Sequence, residues 1–168
     1  MENDISWIEK DTFASKTSRG FIAGIAGGLA GTAVKMLIER VLPVRRPNTR
    51  SAQEKLVDSI SETITGDKLS DTNKELAAQL VNLPFAASIG ASYGYAKREK
   101  PEFNAMEGAF LGASTWVGTH EVSLPALDLK NSPDEIPLKY QASELLAHVA
   151  FGITTELVRS FVMQKLEE

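Results

Sequence analysis

Apolar residues in this chain gather into four helix-length runs separated by polar connectors. Gly20 to Ile38 is apolar apart from Lys35 and covers about 19 residues, close to the roughly 20 that a helix needs to cross a bilayer. Leu76 to Ala96 is uncharged for about 21 residues, is interrupted by Pro84, and is closed by Lys97, Arg98 and Lys100. The third run, Gly108 to Leu127, contains His120, Glu121 and Pro125, and the fourth, Leu145 to Met163, contains His148, Glu156 and Arg159. Apolar and polar residues never alternate for long enough to make a strand. The pattern predicts an all-α protein: an integral membrane bundle of about four helices near 20–40, 75–97, 105–124 and 140–164.

The connectors carry helix punctuation. Ser51 with Glu54, Asn104 with Glu107, and Asp71 ahead of the second run resemble helix N-termini, where a side-chain oxygen receives the first unpaired amides. Between Ser51 and Ile64 the apolar positions Leu56, Ile60 and Ile64 recur every fourth residue, which predicts a short amphipathic connector helix. Its place is the membrane surface or the end of the bundle. Residues 128–137, with Asn131, Ser132, Pro133 and Pro137, read as a loop. Residues 1–19 are expected to form an N-terminal tail or interfacial segment, 20–164 a single helical domain, and 165–168 a C-terminal tail.

Glycine and alanine predict how these helices meet. Ala23, Gly27, Gly31, Lys35 and Glu39 fall on one ridge of the first helix, and Gly20, Gly24 and Gly28 on its neighbour. The second helix has Ala86, Gly90 and Gly94, and the third Gly108 and Gly112. Each such glycine costs a water-exposed helix about 1 kcal/mol against alanine, whereas in a bilayer small residues let two backbones come into contact. No strand precedes the glycines of the first run and no Lys-Ser or Lys-Thr pair follows at P-loop spacing, so a phosphate-binding loop is not expected.

Composition narrows the picture. The chain has 168 residues, a net charge of −4 and a pI near 5.3, without the basic surplus that nucleic-acid binding requires. It has no cysteine, which removes disulfides, thiolate metal sites and cysteine nucleophiles. The acidic start (Glu2, Asp4, Glu9, Asp11) is unlike a secretory signal. A mean hydropathy of −0.12 is that of a soluble protein and supports the alternative of a water-soluble bundle. Lys and Arg are nearly balanced between the two sides of such a bundle, so the positive-inside rule assigns no topology.

The ionisable residues within the apolar runs are the candidate chemistry. Lys35 and Glu39 end the glycine ridge of the first helix; Glu144, His148, Gly152 and Glu156 share one ridge of the last, with Arg159 three residues further on. His120 and Glu121 join them from the third run. Three readings compete. The first is structural, with the charges neutralising one another. The second is a proton- or ion-responsive cluster, since histidine titrates nearest neutrality. The third is a metal or haem site using His120, His148 and Glu144. It lacks the repeated Glu-x-x-His of di-iron bundles, and two histidines alone are a weak haem signal. Ser114, Ser123 and Ser143 show no nucleophile surroundings, and no catalytic residue or cofactor is predicted.

The order and spacing of Lys35, Glu39, Leu42, Pro43 and Arg45 resemble the end of the first membrane segment of the YagU-like bacterial inner-membrane proteins. His120 followed by Pro125 is similar too, as is the register of Ser143, Glu144, His148, Glu156 and Arg159. Val44 in place of a second proline and the connector from Arg50 to Asn73 depart from that pattern. The resemblance implies a multi-pass inner-membrane protein of uncharacterised activity in a family labelled as associated with acid resistance. The partners expected are the lipid bilayer and either other membrane subunits or a second copy, in an acid-responsive or an accessory role.

Overall fold

The computed structural model describes residues 6–44, 50–119 and 136–167, with side chains described from Ser15 onward except at positions 71, 72, 75 and 76. Five helices account for nearly all of this: α1 Ser6–Val41, α2 Ala52–Thr65, α3 Asp71–Ala96, α4 Ala105–Trp116 and α5 Leu138–Glu167. There is no strand among the described residues. Helix α1 begins at Ser6, well before Gly20, where the apolar run starts. Beyond Trp116 the chain widens into a π turn over residues 117–119. His120, Glu121 and the expected loop up to residue 135 lie outside the described residues.

The local punctuation forms largely as its chemistry predicts. Ser51 and Glu54 make a complete capping box: the Ser51 amide donates to Glu54 Oε2 at 2.5 Å and the Glu54 amide to Ser51 Oγ at 3.1 Å. Gly66, at φ 78°, ends α2 in the left-handed conformation that a side chain would resist. Asn104 Oδ1 receives the amides of Met106 and Glu107 at the start of α4. The N-cap of α3 is Ser70, one residue ahead of Asp71, and its side chain makes no capping bond. Pro84 lies inside α3 without ending it, and Ser88 Oγ donates to the Pro84 carbonyl at 2.8 Å.

Four helices stand side by side in the order α3, α1, α5, α4, with α2 against α3. The two glycine ridges of α1 serve different neighbours. A Cβ at Gly20, Gly24 or Gly28 would fall on the backbone of Gly94, Gly90 or Ala86 of α3, and one at Gly27 or Gly31 would fall on Thr155 or Phe151 of α5. Across α4 and α5, Gly108 and Gly112 meet Gly152 and His148 in the same way. In every pair the residue numbers run in opposite directions, so all three contacts are antiparallel. Glycine is required here because backbone touches backbone.

Burial is inverted relative to a water-soluble bundle. The interior consists of Ala23, Ala86, Ala147, Thr155, Phe151 and Met163 together with Glu144, His148, Glu156 and Arg159, while Ile22, Leu37, Leu80, Phe85, Phe110, Leu146 and Phe161 face outward. Phe110 is 73% exposed, whereas Glu156 and Arg159 are 0% exposed. Two segments, Ser15–Val41 and Leu138–Glu167, are long and apolar enough to cross a membrane.

Candidate functional site

Helix α5 carries its ionisable ridge toward α4 and the α3–α4 connector, and places it at two levels. At the first level Arg159 grips Glu156 with two bonds, Nε to Oε2 at 2.6 Å and Nη2 to Oε1 at 2.9 Å. This planar, two-pronged match is the geometry that makes arginine the usual partner of a buried carboxylate. Arg159 also reaches the carbonyls of Lys97 at 3.5 Å and Glu102 at 3.4 Å, and lies 5.9 Å from the centre of the Tyr93 ring. Glu156 Oε1 accepts the amide of Asn104 at 3.2 Å. Just above, Gln164 donates to the Pro101 carbonyl, and Lys97 forms an ion pair with Glu107.

Electrostatics explain the arrangement. Lys97 caps the C-terminus of α3, where unpaired carbonyls leave partial negative charge, and Asn104 caps the N-terminus of α4, where unpaired amides leave partial positive charge. The guanidinium faces the first and the carboxylate faces the second. The ion pair is thus a two-headed cap that fastens the α3–α4 turn to α5. Its carboxylate already accepts three hydrogen bonds, and a guanidinium can only donate.

The second level lies toward the start of α5, about 18 Å away by helical rise. Glu144 and His148 are buried there. His148 Nδ1 is 2.8 Å from the Glu144 carbonyl; a carbonyl only accepts, so Nδ1 carries the hydrogen of this bond. The register that sets Gly112 against His148 brings Trp116 to the level of Glu144. Trp116 Nε1 is buried without a hydrogen-bond partner among the described residues. On α1, Lys35 and Glu39 bond to each other at 2.5 Å and are half-buried. His120 and Glu121 fall outside the described residues, and no group of three metal-ligating side chains occurs among those described.

A third ionic site, at α2, was not legible in the sequence. Asp58 is buried between α2 and α3, 2.9 Å from Lys74 Nζ and 2.8 Å from Arg50 Nη1. The Lys74 hydrogen bond and the nearby cations hold its carboxyl below the usual range. In the α3–α4 connector, Lys16 does the same to Glu99 across 2.7 Å. Tyr93 carried no signal either, and Lys97 was visible only as a helix-closing cation.

Residues 29–157 match a family model described as a protein of unknown function, DUF1440. The chain belongs to this family. The match begins at Leu29 and ends at Leu157, so it contains Lys35, Glu39, Glu144, His148 and Glu156 and stops just before Arg159. No curated protein and no solved structure matches.

Proposed function

We propose that this chain is a multi-pass protein of the bacterial inner membrane that works as a non-catalytic helical scaffold, its four side-by-side helices zipped by glycine and its outer apolar faces turned to lipid or to membrane partners. The observation that carries this reading is the inverted burial. A water-soluble bundle would hide Phe110, Leu146 and Phe161 and expose Glu156 and Arg159. That inversion also argues against the soluble alternative. The Glu156–Arg159 pair, consumed by capping, favours a structural part for those two charges. Alkaline carbonate washing of membranes tests the proposal: the protein stays in the pellet, and its release into the supernatant would refute membrane integration. In mild detergent, migration only as a free monomer would count against the scaffold role.

A second reading concerns the other level. Glu144 and His148 are buried neighbours on one ridge, and the resemblance to YagU-like proteins brings an acid-resistance label. In this reading they form a proton-responsive pair. Proton uptake by liposomes containing the protein, compared with His148→Ala and Glu144→Gln, decides it. Unchanged uptake and unchanged acid survival would remove it.

A further inference from the structure

Helix α2 is held by a side that is not its apolar one. Val57 and Asp58 are its buried residues, and the grip is ionic: Asp58 lies 2.9 Å from Lys74 in the first turn of α3 and 2.8 Å from Arg50. Leu56, Ile60 and Ile64 form a separate stripe. At about 100° per residue, its centre lies roughly 110° around α2 from the midpoint of Val57 and Asp58. Ile60 is 46% exposed and Ile64 76%, while Glu62 is exposed on the opposite side of the helix. The ion pair also fixes where α2 stands along α3. Lys74 is two residues ahead of Leu76, where the uncharged run of α3 begins, so Asp58 touches α3 where its sequence passes from charged to apolar.

We infer that α2 lies at the membrane–water boundary, with Leu56, Ile60 and Ile64 seated among the acyl chains of the lipid. The inference rests on the membrane reading above. In a protein surrounded by water the apolar stripe of such a helix is the side that docks. Here a charged flank docks instead, and the stripe is left open at the height where α3 enters the apolar layer. That is the arrangement of an amphipathic helix lying in the interface, its apolar side about 5–10 Å into the headgroup and acyl boundary. A second copy of the chain is a poorer occupant of the stripe. A stable protein interface takes roughly 20–30 residues a side, whereas α2 has 14 in all and most of them are polar.

The chain has no cysteine, so single cysteines can carry a nitroxide in the full-length protein reconstituted into phosphatidylethanolamine/phosphatidylglycerol vesicles. Collisions of the label with oxygen, which concentrates in lipid, and with a water-soluble nickel chelate report its surroundings. Ile60, Ile64 and Glu62 are all exposed, so Ile60→Cys, Ile64→Cys and Glu62→Cys should keep the helical circular dichroism of the wild type. Labels at Ile60→Cys and Ile64→Cys are expected to meet oxygen more often, and the nickel chelate at least threefold less often, than a label at Glu62→Cys. Equal nickel access at all three positions would overturn the inference. So would shielding of the Ile60→Cys and Ile64→Cys labels from both reagents, since a second copy or another protein would then cover the stripe. A label at Phe110→Cys, on the outer face of α4, separates the two failures. If it lies in lipid while the α2 labels lie in water, the failure is that of α2 alone; nickel access there as high as at Glu62→Cys marks failure of the membrane reading itself.

Discussion

Removing half of the Glu156–Arg159 pair gives the most direct test of the fold. Both side chains are 0% exposed, so Glu156→Gln strands a buried guanidinium beside a neutral amide, and Arg159→Met strands a buried carboxylate. Breaking a buried pair in this way costs about 3–5 kcal/mol. If the pair acted only on itself, replacing both with apolar residues would restore most of the loss. Here it should not, because the Asn104 amide and the Lys97 and Glu102 carbonyls lose their partners together. A buried polar group left unpaired costs about 1–3 kcal/mol. Glu156→Leu/Arg159→Met is therefore expected to stay at least about 2 kcal/mol below the wild type, from the same per-group costs. The assay is equilibrium unfolding in mixed micelles for wild type, both single variants and the double variant. Single-variant losses under about 1 kcal/mol, the range of a surface ion pair, would refute the buried cap. A double variant as stable as wild type would refute its bonds to the α3–α4 turn.

Other expectations can be checked with single variants. Gly24→Ala would drive a methyl group into the Gly90 carbonyl and should cost about 1–3 kcal/mol by forcing α1 and α3 apart; Gly118→Ala, which meets nothing within 4 Å among the described residues, should be neutral or stabilise by up to about 1 kcal/mol, and equal effects in the same unfolding assay would contradict the packing. Asn104→Ala should cost about 1 kcal/mol through loss of the α4 cap, seen as a lower unfolding midpoint. The Asp58 carboxyl is depressed in the folded state, so its hold on α2 is present above the unfolded value of about 3.9 and is lost as pH falls through the lower folded value. A spin label at exposed Ser59 should therefore be ordered at pH 6 and loosen only below about pH 4, whereas Asp58→Asn should loosen it at both; loosening of the wild type near neutrality would assign α2 docking to another group.

Much of this architecture follows from local patterns. The Ser51–Glu54 box, the Asn104 cap, the Lys35–Glu39 pair and the ridge of Glu144, His148 and Glu156 are separated by three or four residues, and helical geometry alone puts them together. The glycine ridges declared close helix contacts, since residues without side chains have few other uses in a long helix.

The partners of those ridges are a tertiary matter. Nothing local says that Gly20, Gly24 and Gly28 meet α3 while Gly27 and Gly31, interleaved with them, meet α5. The charges show the same division. Glu156 and Arg159 looked like members of one cluster with the histidines, but their further partners are backbone groups at the ends of α3 and α4. Backbone amides and carbonyls are identical at every residue, so sequence cannot mark which of them a side chain will reach. Asp58 and Lys74 are side chains on separate helices, and only the packing of α2 on α3 brings them together. Periodicity fixed which face of each helix carries glycine or charge; the register between helices decided what that face touches.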